Sequence, residues 1–299
     1  MRLSKALVSF ALGLFLSAVP LAAEVLVLGS VNDNVRKHVD RMTPMARYLE
    51  RELADLGVTE VQIRVATTSS EMVAALRDGQ VDLYFDSPLV AANIARQAGA
   101  EPFLRRWKRG EASYHSLIIV PADSDIQGVE DLVGHRIGFQ EPDSTSGFLL
   151  PVGMLHAADL ALRELPDRFA PPAEDEIGYV FTGDDKNTLL WLAKGWIVAG
   201  ATEPRRWDQL NEARPGEFRV IATSIEVPRQ VVIRRNGLDA GLVNRIADVL
   251  KDMVNSDEGV EVMEKFHKTT RFDDFPRGVE DTFEPIHHLL DRLALAGIT

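Results

Sequence analysis

From Glu24 to the C-terminus, short runs of aliphatic and β-branched residues alternate with segments whose apolar positions recur every three or four residues. That alternation restricts the chain to an α/β architecture, because parallel strands cannot be joined by tight hairpins and need helical crossovers between them. Glu24 to Ser30 reads as a buried first strand. Thr43 and Pro44 have the order of a helix cap followed by a first-turn proline, ahead of Ala46, Leu49, Leu53 and Leu56 on one face. Val61 to Ala66 is a second strand, and Thr68 with Glu71 has capping-box spacing at the start of a helix that ends at Gly79. Val81 to Phe85 is a third strand and Pro88 opens the next helix.

A second block repeats this grammar. Ser116 to Val120, His135 to Phe139, Ile177 to Phe181, Trp196 to Ala199, Phe218 to Ala222 and Gln230 to Ile233 read as strands. Helices are expected from about Phe148 to Leu162, from Asp185 to Lys194 and near Glu203 to Asn211. The last segment is helical, with Leu242, Ile246, Val249 and Leu250 on one face and later Phe283, Ile286, Leu290 and Leu293.

The first 23 residues stand apart from this pattern. Arg2 and Lys5 precede an uncharged stretch from Ala6 to Ala18, and Pro20, Ala22 and Ala23 follow, which is the layout of a cleaved secretory signal. The chain contains no cysteine. Disulfides, thiolate metal sites, thiol catalysis and a lipidated cysteine are thereby excluded, so a soluble, unanchored periplasmic protein is expected. The formal charge is -12 for the whole sequence. Removing two cations with the leader makes the mature chain more acidic, which argues against a nucleic-acid partner.

The strongest chemical signal is Asp143-Ser144-Thr145-Ser146-Gly147 between a strand and a helix. The first amides of a helix are unpaired and its dipole is positive there, so a tetrahedral oxyanion can be held by backbone N–H groups and hydroxyls without a lysine. The competing role is helix capping, which needs only one such side chain. Phosphate-binding loops of the Gly-x-x-x-x-Gly-Lys-Ser/Thr kind and dinucleotide loops of the Gly-x-Gly-x-x-Gly kind are absent, as are a Gly-x-Ser-x-Gly elbow and His-Glu-x-x-His. His287-His288 with Glu284, and Glu264 with His267, read as solvated helix surface rather than metal ligands. No cofactor is expected.

Five segments resemble, in order, the PhnD-like periplasmic receptors for phosphonate, phosphite and phosphate of ABC transporters. They are Thr43-Pro-Met-Ala-Arg-Tyr-Leu-Glu50, Gly79-Gln-Val-Asp-Leu-Tyr-Phe-Asp-Ser-Pro88, Tyr114-His-Ser-Leu-Ile-Ile-Val120, Asp131 through Pro151, and Phe181-Thr-Gly-Asp-Asp185 running on to Glu203. The resemblance implies a two-lobed type II periplasmic binding protein with two hinge crossings, one lobe from 24–118 and 225–299 and the other from 119–224. It also implies that Ser144, Thr145, Ser146 and Gly147 grip the anion, faced by Tyr84, Phe85, Ser87 and Tyr114. Asp185 and Glu203 fall at positions where a carboxylate would repel bare phosphate and pair with the ammonium of an aminophosphonate. The expected partners are a small anionic solute and an ABC permease, with the protein acting as a monomer. The alternatives are a ligand-presenting subunit for a membrane histidine kinase, a receptor for a sulfonate or an amine, and a periplasmic hydrolase of a phosphorylated solute. Because the mature chain is acidic, recognition is expected from uncharged donors at Ser144 to Ser146 rather than from a basic wall.

Overall fold

A computed structural model describes residues 24–298, so the leader reading lies outside the described residues. In chain order, β1 (Glu24–Val31), α1 (Val35–Glu52), β2 (Val58–Ala66), α2 (Ser69–Arg77), β3 (Leu83–Asp86), α3 (Pro88–Ala98) and β4 (Glu101–Lys108) come first. β5 (Ser113–Tyr114) and β6 (Leu117–Pro121) lead to β7 (Arg136–Phe139), a π-helical turn over Thr145–Leu149, α4 (Leu150–Ala157), β8 (Leu162–Glu164) and β9 (Ile177–Phe181). Then follow α5 (Asp185–Ala193), β10 (Ala199–Thr202), α6 (Pro204–Ala213), β11 (Phe218–Thr223), β12 (Val227–Pro228), β13 (Gln230–Arg234), α7 (Ala240–Asp252), α8 (Asp257–Lys265), β14 (Thr269–Asp273) and α9 (Gly278–Leu295).

The strands form two six-stranded sheets, ordered β14-β4-β13-β3-β1-β2 and β11-β6-β10-β7-β9-β8. In the first, β1 pairs in parallel with β2 and β3, whereas β13, which returns after the whole second sheet, runs antiparallel to β3. A third, two-stranded ribbon pairs β5 with β12, and the chain passes between the sheets here in both directions. The result is the two-lobed α/β arrangement with two crossings. The strand Leu117–Pro121 belongs wholly to the second sheet, paired to β10 and β11. Behind the ribbon, α9 packs on both α3 and α4, and Phe283, Ile286 and Leu290 share one apolar core with Phe148, Leu150 and Val152. Gly153 allows the α4–α9 approach, since a Cβ there would stand 2.6 Å from the Leu289 side chain. No helix among the described residues is long and apolar enough to cross a membrane.

Local expectations shift in four places. The first helix begins at Val35, where the Asn34 side chain accepts from the Lys37 N–H, so Pro44 lies inside the helix and Thr43 is no cap. Instead, the Thr43 hydroxyl donates to the Val39 carbonyl at 2.8 Å. In the capping box, Glu71 donates its N–H to Thr68, but its carboxylate reaches back to the Thr67 N–H, one residue before the cap. The expected Phe148–Leu162 helix is a π turn followed by α4, ending before Asp159, whose φ is 56°, and leading into the edge strand β8. The strand expected at Trp196 starts at Ala199, after Gly195 has ended the preceding helix at positive φ.

Candidate functional site

The carboxyl ends of β7 and β10 and the ribbon bring one constellation together. Ser144 is the cap of the π turn: its Oγ accepts from the Gly147 N–H at 3.0 Å and donates to Gln140 Oε1 at 3.1 Å. Ser144 thus serves the helix, which leaves Thr145 and Ser146 as the hydroxyls of the run not used in capping. Gly147 is required by proximity, because a Cβ at this position would lie 2.4 Å from the Gln140 side chain. Thr145 and Ser146 are buried, and Ser116 Oγ donates to the Ser146 carbonyl at 2.6 Å, locking that backbone. The Tyr114 phenol on β5 stands beside the Thr145 and Ser146 side chains. Burial, opposed by the Arg229 charge, pushes it up to about 12, so it remains a proton donor. The Thr145 hydroxyl itself has no hydrogen bond of acceptable geometry among the described residues, although Thr145 is only 3% exposed. A buried hydroxyl left this way costs free energy until an acceptor arrives.

The two acids behave differently from expectation. Asp185 accepts from Gln140 Nε2 at 2.6 Å and pairs with Arg206 at 3.3 Å. Glu203 pairs with Arg229 at 2.9 Å and with Arg205 at 3.0 Å. Arg229 also binds Glu111 at 3.0 Å and covers the Tyr114 ring at 4.2 Å. Both carboxylates therefore already have guanidinium partners, and neither is a free counter-charge for an ammonium. Burial, then the nearby Glu203 charge, raises Asp185 above the usual carboxylate range.

Phe85, Tyr84 and Ser87 separate. Phe85 lines a cavity of about 320 Å³ at the carboxyl ends of the first sheet and meets Phe266 edge-on at 5.0 Å. Strand alternation turns Tyr84 to the opposite face, where it is fully buried and its hydroxyl binds Asp86. Ser87 precedes α3 and donates its N–H to Asp86 Oδ1 at 2.6 Å, with no capping bond from its side chain.

The cavity wall was not foreseen. Arg106 and Lys108 of β4, Arg41 and His38 of α1, and His267 line it. Period-two spacing in Glu101-Pro-Phe-Leu-Arg-Arg-Trp-Lys108 was the available signal, because it puts Arg106 and Lys108 on one face of a strand. An acidic chain thus carries a cationic wall here, since net charge is a sum over the whole molecule and says nothing about one wall. His267 is not on a solvated helix: α8 ends at Lys265, His267 takes φ 55°, and its ring lies 4.8 Å from that of His38. His38 Nδ1 is 3.0 Å from Ser30 Oγ. Burial, followed by the Arg106, His38, Arg41 and Lys108 charges, lowers His267 to about 3, so its imidazole is neutral near pH 7.

Comparison with known proteins agrees with this architecture. The chain is 24% identical over 232 residues to the phosphate-import protein PhnD of Mycolicibacterium smegmatis, covering 74% of this chain and 68% of the relative. It is 25% identical over 231 residues to the phosphonates-binding periplasmic protein of Escherichia coli, covering 75% of this chain and 64% of that one. The match thus spans about two thirds of these relatives' length. A Xanthomonas citri protein, solved with chloride and with ATP, superposes with a TM-score of 0.79; with chloride it is 28% identical, over 89% of this chain and 99% of that one. The fold is shared with PhnD1 of Prochlorococcus marinus, solved with methylphosphonate, which is 18% identical and superposes with a TM-score of 0.61 over 90% of this chain and 98% of that one. The model of the ABC-transporter phosphonate family matches residues 32–275, and the chain belongs to these periplasmic substrate-binding proteins.

Proposed function

We propose that this chain captures a phosphonate- or phosphate-type oxyanion between its two lobes and hands it to an ABC permease. The observation that carries this reading is the buried Thr145 hydroxyl, unsatisfied within the described protein, beside Ser146 and the Tyr114 phenol at the start of a helix. These are neighbouring neutral donors, the chemistry that suits a tetrahedral oxyanion. Tyr114 sits on the ribbon joining the lobes and already stands beside Thr145 and Ser146, so closing the lobes would bring the first sheet over this group and exclude water. The saturation of Asp185 and Glu203 by arginines favours solutes without an ammonium over aminophosphonates. The Xanthomonas citri protein bound to chloride and to ATP supports anion binding on this scaffold. The protein would act as a monomer outside the cytoplasm after loss of its first 23 residues, and no covalent chemistry is required of it.

The test is a thermal-shift screen of the purified protein against phosphate, phosphite, methylphosphonate and alkylsulfonates. Stabilisation by the phosphorus oxyanions is expected. Stabilisation by a sulfonate or a neutral solute alone would overturn the assignment.

A further inference from the structure

We propose that the cavity wall formed by β4, α1 and the Phe266–His267 turn is a second anion subsite, and that the preferred solute joins a phosphoryl-type group to a second anionic group, as a phosphonocarboxylate does. This rests on the reading of Thr145 and Ser146 as the oxyanion nest, and it adds what the rest of the solute must look like.

Arg106 is the central observation. It is 3% exposed, yet its only side-chain hydrogen-bond partners are the neutral oxygens of Thr269, at 3.0 Å, and Gln230, and its guanidinium lies over the Phe266 ring at 5.3 Å. Its Nε has no partner at all among the described residues. Arg105 holds Asp273, Arg229 holds Glu111 and Glu203, and Arg235 holds Asp82, whereas Arg136 and Arg219, which bind carbonyl oxygens instead, are only half-buried. A buried guanidinium without a carboxylate partner is costly, and an anion entering the cavity that it lines would relieve that cost. Lys108, one turn of the pleat further on, lines the same cavity with no ion pair among the described residues. Arg41 adds a third cation at the rim.

Two acids face these cations. Asp86 is already engaged by the Tyr84 hydroxyl and the Ser87 N–H, and Asp143 is exposed. The neutral imidazoles of His38 and His267 complete the wall as polar groups that add no charge. The cavity and the nest belong to one cleft. Asp143, adjacent to the Ser144 cap, lines the cavity, and Lys108 is close enough to Arg229 and Glu203 to feel their charge, while Arg229 covers the Tyr114 ring. The proposed solute would span from the nest to the wall.

The experiment is isothermal titration at pH 7 of the full mature chain with methylphosphonate, phosphonoacetate and 2-aminoethylphosphonate. The wild type should bind phosphonoacetate about tenfold or more tighter than methylphosphonate, the size of one charge-assisted contact. Lys108→Gln should lower that ratio by about the same factor. This variant is preferable to one at Arg106, whose bonds to Thr269 and Gln230 join two strands and whose loss endangers folding. Thr145→Val should weaken both ligands and preserve their ratio. Equal wild-type affinities, a preference for 2-aminoethylphosphonate, or a ratio unmoved by Lys108→Gln would refute the subsite while leaving the oxyanion nest in place. Binding of none of the three would remove the nest, and the subsite with it.

Discussion

Thr145→Val should move stability and affinity in opposite directions, which few substitutions do. Valine keeps the branched shape at a position that is 3% exposed, so packing is retained and only the hydroxyl is lost. That hydroxyl makes no hydrogen bond of acceptable geometry among the described residues, although the Tyr114 phenol stands beside it. Deleting an unsatisfied buried polar group should therefore stabilise the unliganded protein by about 1 kcal/mol. For a protein of this size, that corresponds to a rise of about 2 °C in Tm. The bound oxyanion, in contrast, loses a charge-assisted hydrogen bond of about 1.5–3 kcal/mol. At about 1.4 kcal/mol per factor of ten, Kd should rise about ten- to a hundredfold. Differential scanning calorimetry without ligand and isothermal titration with methylphosphonate measure the two effects separately. A Tm lowered by several degrees with Kd changed less than about twofold would refute the reasoning, because the hydroxyl would then serve the fold and not the anion.

Two further outcomes follow from the site. Burial, with the Arg229, Arg106 and Arg109 guanidiniums and against the pull of Glu203, lowers the Lys108 ammonium to about 8. Affinity for phosphonoacetate should therefore be flat up to about pH 8 and fall above it, as the free protein loses the proton that binding needs; a titration series from pH 6.5 to 9.5 in which affinity rises instead would show that Lys108 is not a contact. Gly147→Ala would drive a methyl group into the Gln140 side chain, which links Ser144 to Asp185, so stability should fall by about 1–3 kcal/mol and oxyanion affinity with it, and denaturant unfolding that leaves the midpoint unchanged would contradict the close approach.

Much of the site was legible wherever local physics alone decides. A run of hydroxyls between a strand and a helix identifies a helix start, because unpaired amides occur at every such start, and Ser144 to Gly147 lie there. The division of labour within the run was not legible, since which hydroxyl caps depends on where the helix begins and on the Gln140 side chain beneath it. Asp185 and Glu203 show the same limit: as isolated carboxylates they suggest a cation site, but their arginine partners come from α6 and from the β12–β13 junction. Pro44 misled in the other direction, because a proline after a threonine resembles a helix start even where capping by Asn34 has already begun the helix.

The alternation of strands and helices and the Ser-Thr-Ser run by themselves determined an α/β fold with a hydroxyl-rich helix start after a strand, because secondary-structure period and helix-end chemistry are short-range properties of the chain. Only the tertiary structure decided the charge of the cleft. Arg106 and Lys108 lie on a strand in the first sheet, His38 and Arg41 on the helix after β1, and His267 in a turn more than 150 residues later. Sheet order places them on one wall although the chain carries a net charge of -12. Electrostatic potential at a cleft follows from distances of a few ångströms, and those distances are set by which strands pair and not by the order of residues along the chain.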